Sequence, residues 1–165
     1  MIIKWKYLSL IFIVFLFGCD NPFAPKISNN VKSFATIKSQ ATIEGVFDNI
    51  KYAYLFKDTT TYSKVLAEDF IFSYRDYEKN IEISWNKQEE LRITNTLFKN
   101  AEELNLYWND IIALNEDSSQ VIRNFQLKIR FSSDEIVQID GKVKLVLTKL
   151  NKVWYIKQWY DDSNF

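Results

Sequence analysis

The sequence predicts an α+β domain, and three observations carry that prediction. Apolar residues recur at spacings of three and four between about residues 43 and 98. From about residue 104 to the end they recur at a spacing of two instead. Helices followed by a run of strands give a curved antiparallel sheet wrapped over a few helices. The third observation is one cysteine in 165 residues, which leaves no disulfide to hold the fold. A single domain of this length buries roughly two-thirds of its unfolded surface and needs no such staple.

The chain opens with Lys4 and Lys6, a nearly unbroken apolar run from Leu8 to Phe17, then Gly18-Cys19. Ten residues of helix rise only about 15 Å, half of a bilayer core, so a spanning helix is the weaker reading. A basic start, a short apolar stretch and a small residue before the cut are the parts of a secretory signal. "LFGC" resembles the lipobox of bacterial lipoproteins, which implies a diacylglycerol on the Cys19 sulfur and a mature chain beginning there. The expected organisation is a signal peptide over 1–18, a lipidated cysteine and flexible tether over 19–41, and a folded domain over 42–165. The tether holds both prolines of the chain, with Asn, Ser and Lys and no clear periodicity. The expected location is the cell envelope, anchored to a membrane through Cys19, with inner and outer membrane both left open.

Within the domain, Ile43, Phe47, Ile50 and Tyr54 mark one face of a first helix, ended by Lys57 and Asp58. "DTTTYSKVLAEDF" predicts a short second helix with Asp or Thr as its cap. "FIFSYRDY" alternates as a strand. "NKQEELRITNTLFKNAEEL" predicts a third helix, capped by Asn86 with Glu89 in the capping-box position and Leu91, Thr94, Leu97 and Phe98 on one side. Four strands follow, "LNLYWNDIIALNE", "QVIRNFQLKIRF", "GKVKLVLTKL" and "KVWYIKQWYDD". The clearest alternation sets Phe125, Leu127, Ile129 and Phe131 against Gln126, Lys128 and Arg130, one dry face and one wet.

"YAYLFKDTTTYSKVLAEDFIFSY", "SWNKQEELRITNTLF" and the closing "VWYIKQWYDD" together resemble the nuclear transport factor 2-like superfamily in its SnoaL-like branch. The resemblance covers residues 43 to 162. It implies a cone of sheet and about three helices enclosing a pocket, and it implies no activity, because the fold hosts isomerases, dehydratases, hydrolases, binding proteins and inert modules. In these motifs Asp69 and Asp161 read as structural residues at the ends of strands.

Composition narrows the chemistry. There are 21 basic and 21 acidic residues, and loss of Lys4 and Lys6 with the signal tips the balance slightly acidic. Such a domain lacks the basic face that nucleic acid requires. No histidine exists, which removes histidine-based nucleophiles and histidine metal sites. After the signal only Gly45 and Gly141 remain, so there is no glycine-rich phosphate loop. The pairs Glu89-Glu90, Glu102-Glu103 and Asp161-Asp162 read as solvated surface. No metal or cofactor site is expected.

Strand parity supplies the candidate site. Asp110 falls on the apolar parity of its strand with Trp108, and Arg123 on that of the next. If Leu114 faces Val121 in a hairpin, Ile112 faces Arg123, and Asp110 and Arg123 become diagonal neighbours on the inner face. Charges on a dry face are costly unless paired, so the expectation is an Asp110–Arg123 pair beside Trp108 in the pocket. A one-residue slip or a bulge would turn either residue outward. Phe, Trp and Tyr make up 16% of the chain, and they either line a cavity or fill it. The expected role is non-enzymatic: holding a small apolar or aromatic ligand, or docking a protein partner or a second copy by the sheet. The alternative is an isomerase, dehydratase or hydrolase using a pocket carboxylate.

Overall fold

The computed structural model describes residues 36–163. The signal segment, Cys19 and the tether up to residue 35 lie outside the described residues. In chain order the elements are α1 (Ile43–Phe56), α2 (Thr59–Val65), β1 (Leu66–Asp76), β2 (Ile81–Asn86), α3 (Lys87–Asn100), β3 (Glu103–Leu114), β4 (Gln120–Arg130), β5 (Ile136–Leu150) and β6 (Val153–Ser163). Among the described residues, three helices pack on one six-stranded sheet of order β2-β1-β6-β5-β4-β3.

The helices begin where side-chain oxygens meet orphan backbone donors. Thr42 Oγ1 accepts from the Gly45 N–H at 3.1 Å, Asp58 Oδ1 from Thr61 at 3.0 Å, and Asn86 Oδ1 from Glu89 at 3.1 Å. α1 stops at Lys57, which adopts the left-handed conformation with φ 56°. The segment before α1 is pinned at two points. Asn49, buried in α1, bonds both the N–H and the carbonyl of Lys38, and Gln40 exchanges backbone and side-chain bonds with Trp154 of β6. It passes so close over the first turn that a Cβ on Gly45 would stand 2.0 Å from the Ser39 carbonyl oxygen. Only glycine fits there.

The sheet differs from the expected all-antiparallel one. β1 and β6 pair in parallel, while every other neighbouring pair is antiparallel. The chain leaves β1 through the β1–β2 hairpin and α3, traverses β3 to β5, and returns beside β1. β1 also begins at Leu66, so the second helix is one turn shorter than its sequence pattern suggests. β2 and the first third of β5 were not legible as strands. Both are largely exposed and lack the one-sided burial that alternation reports.

Val46, Phe47 and Ile50 of α1 meet Tyr62, Phe70, Leu104, Val121, Val143, Leu145 and Ile156, all essentially inaccessible to water. Each such side chain contributes roughly 1.5–3 kcal/mol of burial. This core fills one end of the domain, and Tyr62 at its edge borders the open end.

Candidate functional site

At the open end, the inner faces of the sheet and helices enclose a cavity of about 240 Å³. Leu106 and Trp108 of β3, Phe125 and Leu127 of β4, Trp159, Asp161 and Ser163 of β6, Phe72 of β1 and Trp85 of β2 supply the sheet wall. Tyr54, Tyr62, Glu90 and Thr94 close it from the helix side. A more open, outer pocket along the β1–β2 hairpin shares Phe72, Trp85 and Ser163 with this cavity.

Register explains why these residues meet. Trp108 pairs with Phe125, Phe125 with Gly141, and Gly141 with Ser163, so one row of the inner face crosses four strands. Gly141 carries no side chain, and the space is taken by its neighbours. A Cβ there would lie 2.5 Å from Ser163 Oγ and 2.8 Å from Phe125 Cζ. The aromatic walls touch in sequence. Phe72 stacks on Trp85 with centroids 4.5 Å apart, and Trp108 meets Phe125 edge-on at 5.9 Å.

Two carboxylates face this space, and they differ in how well they are satisfied. Glu90 is only 5% exposed. It accepts from Tyr62 Oη at 2.7 Å, Trp85 Nε1 at 2.7 Å and Thr94 Oγ1 at 3.0 Å. Three donors compensate its burial. Asp161 accepts from the Ser163 hydroxyl, and the Ser163 backbone N–H also favours its charged form. The Trp159 indole N–H lies near enough to favour its charged form, but completes no hydrogen bond of normal geometry. Burial therefore pushes the Asp161 carboxyl above the usual range, partly offset by Ser163, and the neighbouring Asp162 charge adds to the rise. Burial, followed by the Glu90 charge, also raises the phenols of Tyr54 and Tyr62, so both stay protonated at neutral pH. Asp161 is thus the open acceptor of the cavity, a group able to take a hydrogen bond or to hold a proton.

The residues singled out from sequence divide. Trp108 lines the cavity, with its indole N–H donating to the Phe47 carbonyl at 3.1 Å. Leu114 does face Val121, but the register then shifts twice, so that Ile111 rather than Ile112 faces Arg123. The bulge turns Asp110 into solvent. Arg123 is pulled toward α1 instead: it donates to the Asn109 carbonyl, pairs with Glu44 at 3.0 Å and lies 4.6 Å over the Phe47 ring. Asp110 and Arg123 form no pair, and neither lines the cavity. Asp69 stands exposed on β1 in an ion pair with Lys157.

Sequence reasoning passed over Glu90 and Asp161. Glu90 shares a helical stripe with Thr94 and Phe98, at i, i+4 and i+8, which is the buried side of α3. Asp161 has the parity of Trp159 and Ser163 in β6, whereas Asp162 points outward to Lys142. Reading doubled acids as surface pairs hid both. Among the described residues no group of three acid, cysteine or histidine side chains is placed to hold a metal ion.

Neither a scan against protein-family models nor a search of characterised proteins returns a match. Solved structures do resemble it. A candidate scytalone dehydratase from Novosphingobium aromaticivorans superposes with a TM-score of 0.64 at 12% identity, covering 74% of this chain and 82% of its own. A type 2 hexachlorocyclohexane dehydrochlorinase, LinA, gives 0.59 at 10% identity over 76% and 84%. A protein of unknown function from Shewanella baltica OS155, described as nuclear transport factor 2-like, gives 0.55 at 11% over 76% and 92%. The chain has the nuclear transport factor 2-like fold, and structures of that fold include enzymes as well as proteins without a known activity.

Proposed function

We propose that this protein binds a small, flat, largely apolar molecule in the wide end of its cone, with Asp161 as the polar anchor. One observation carries the reading: a cavity of about 240 Å³ walled by aromatic side chains, with the partly buried Asp161 carboxylate on its wall and no basic side chain in the lining. A dry cavity of about 150 Å³ accommodates benzene, so this one has room for a ring with a short substituent. Calorimetric titration with toluene and with indole tests it. Saturable one-to-one binding with a negative heat-capacity change is expected. Absence of saturable heat from both would overturn it.

A second reading has its own support. A carboxyl raised by burial, in a cavity, is the kind of group that takes part in proton transfer. Two of the structurally similar proteins carry the names of a dehydratase and a dehydrochlorinase. On this reading Asp161 would serve as general base in an isomerisation or elimination. Turnover of a bound ligand that disappears in Asp161→Asn while binding persists would separate catalysis from binding alone.

We also propose that the domain is displayed in a bacterial envelope by a lipid on Cys19, on the strength of the "LFGC" stretch. Replacing Cys19 with Ser should move the protein from the membrane fraction to the soluble one. Retention in the membrane would contradict it.

A further inference from the structure

We propose that the ligand of this cavity carries a positive charge, as a small organic ammonium ion bearing a ring. The inference rests on the binding reading above and adds the charge of what is bound.

A census of polar groups on the wall leads there. The lining includes Glu90 and Asp161 and no lysine or arginine. Arg75 stands in the outer pocket, where it bonds Asn80. Most donors of the inner wall are already spent. Tyr62, Trp85 and Thr94 donate to Glu90, Ser163 donates to Asp161, and Trp108 donates to the Phe47 carbonyl. The Trp159 indole N–H has no hydrogen-bond partner, but it is shut off from solvent beside Asp161 and so lies out of a ligand's reach. What remains is chiefly acceptor capacity, in the remaining lone pairs of Asp161 and the hydroxyl oxygens of Ser163 and Thr94, against a single phenol donor, Tyr54, whose hydroxyl meets Tyr62. A ligand that matches this wall donates hydrogen bonds.

Charge sharpens the match. Two carboxylates without a basic partner make the cavity negative, and a carboxylate ligand would meet like charge there. A cation relieves that field, and supplies Asp161 with the counter-ion that no neighbouring side chain provides. Walls of Trp, Tyr and Phe stabilise an organic cation through their ring quadrupoles, whereas they do not distinguish a neutral alcohol from its hydrocarbon. A neutral alcohol donates a single bond. An ammonium donates up to three and carries the charge as well.

The experiment compares benzylammonium, benzyl alcohol and benzoate, equal in ring and nearly equal in size, binding to the full chain at neutral pH, with toluene as the uncharged control. The expected order is benzylammonium at least tenfold tighter than benzyl alcohol, with benzoate not binding. In Asp161→Asn the ammonium preference should fall close to unity while toluene still binds. The wild-type series stands even if the variant fails to fold. Benzyl alcohol or benzoate binding as tightly as benzylammonium would overturn the inference and leave the aromatic cavity standing. So would an ammonium preference that survives Asp161→Asn. Failure of toluene and all three probes would overturn both together.

Discussion

The Tyr62 hydroxyl donates to Glu90 Oε1 at 2.7 Å, joining α2 to α3 on the helix side of the cavity. Tyr62 is 1% exposed and Glu90 5%, so water cannot replace the bond if it is lost. Removing the phenol oxygen leaves a buried carboxylate one donor short. Tyr62→Phe should therefore lower stability by about 1–3 kcal/mol, a large loss for the removal of one atom. Denaturant unfolding measures it. A change near zero would mean that Trp85 and Thr94 suffice for Glu90.

Gly141 sets the width of the cavity from below. An alanine there would press on Ser163 Oγ at 2.5 Å and on Phe125 Cζ at 2.8 Å, and both side chains line the cavity. Overpacking of this kind costs about 1–3 kcal/mol. Gly141→Ala should be less stable by that amount and should also weaken toluene binding. Unchanged affinity would show that the ring moves elsewhere.

Asp58 caps α2 with both oxygens, and its hydrogen bonds from Thr61, side chain first and then backbone, hold its carboxyl below the usual value of 3.8. Asp58→Ala should cost about 1 kcal/mol at neutral pH. The folded-state pKa is depressed, so this stability is present above the unfolded value and lost as pH falls through the folded one. The variant and the wild type should converge in strong acid. Divergence there would assign the effect to something other than the cap.

Asp161 has the opposite sign. Its burial raises the folded-state pKa above 3.8, so the folded protein binds the proton more tightly than the unfolded chain. The stability this provides is complete below the unfolded value, and is lost as pH rises through the folded one. Asp161→Asn removes the charge and keeps the shape, so the variant should be the more stable protein at pH 7, with the difference shrinking toward acid. Thermal unfolding across that range decides it. A less stable variant at pH 7 would mean that the charge is better compensated than its contacts with Ser163 and Trp159 allow.

Much of the fold was readable from local chemistry. The Asp-Thr start of "DTTTYSKVLAEDF" and Asn86 announced α2 and α3, because a cap followed by helical spacing is a signal contained in a few residues. The β4 alternation of Phe125, Leu127 and Ile129 announced a strand with one dry side. The parallel pairing of β1 with β6 left no such mark, since Phe72 and Trp159 lie far apart in sequence and nothing local states that they meet. The site was harder still. The Asp110–Arg123 expectation assumed a regular ladder, and a bulge near Ile111 undid it. Glu90 and Asp161 each sit beside an outward acid, and only the phase of α3 and the parity of β6 distinguish the inward member.

The most direct test of the account is whether a ring enters the cone. Indole N–H resonances of Trp85, Trp108 and Trp159, assigned by substitution, can be followed in two-dimensional NMR as toluene is added, with Trp154 as the internal control because it lies off the cavity lining. The account predicts saturable shifts at the three cavity tryptophans and none at Trp154. Shifts that never saturate, or that appear equally at Trp154, would mean that the cavity does not admit a ligand.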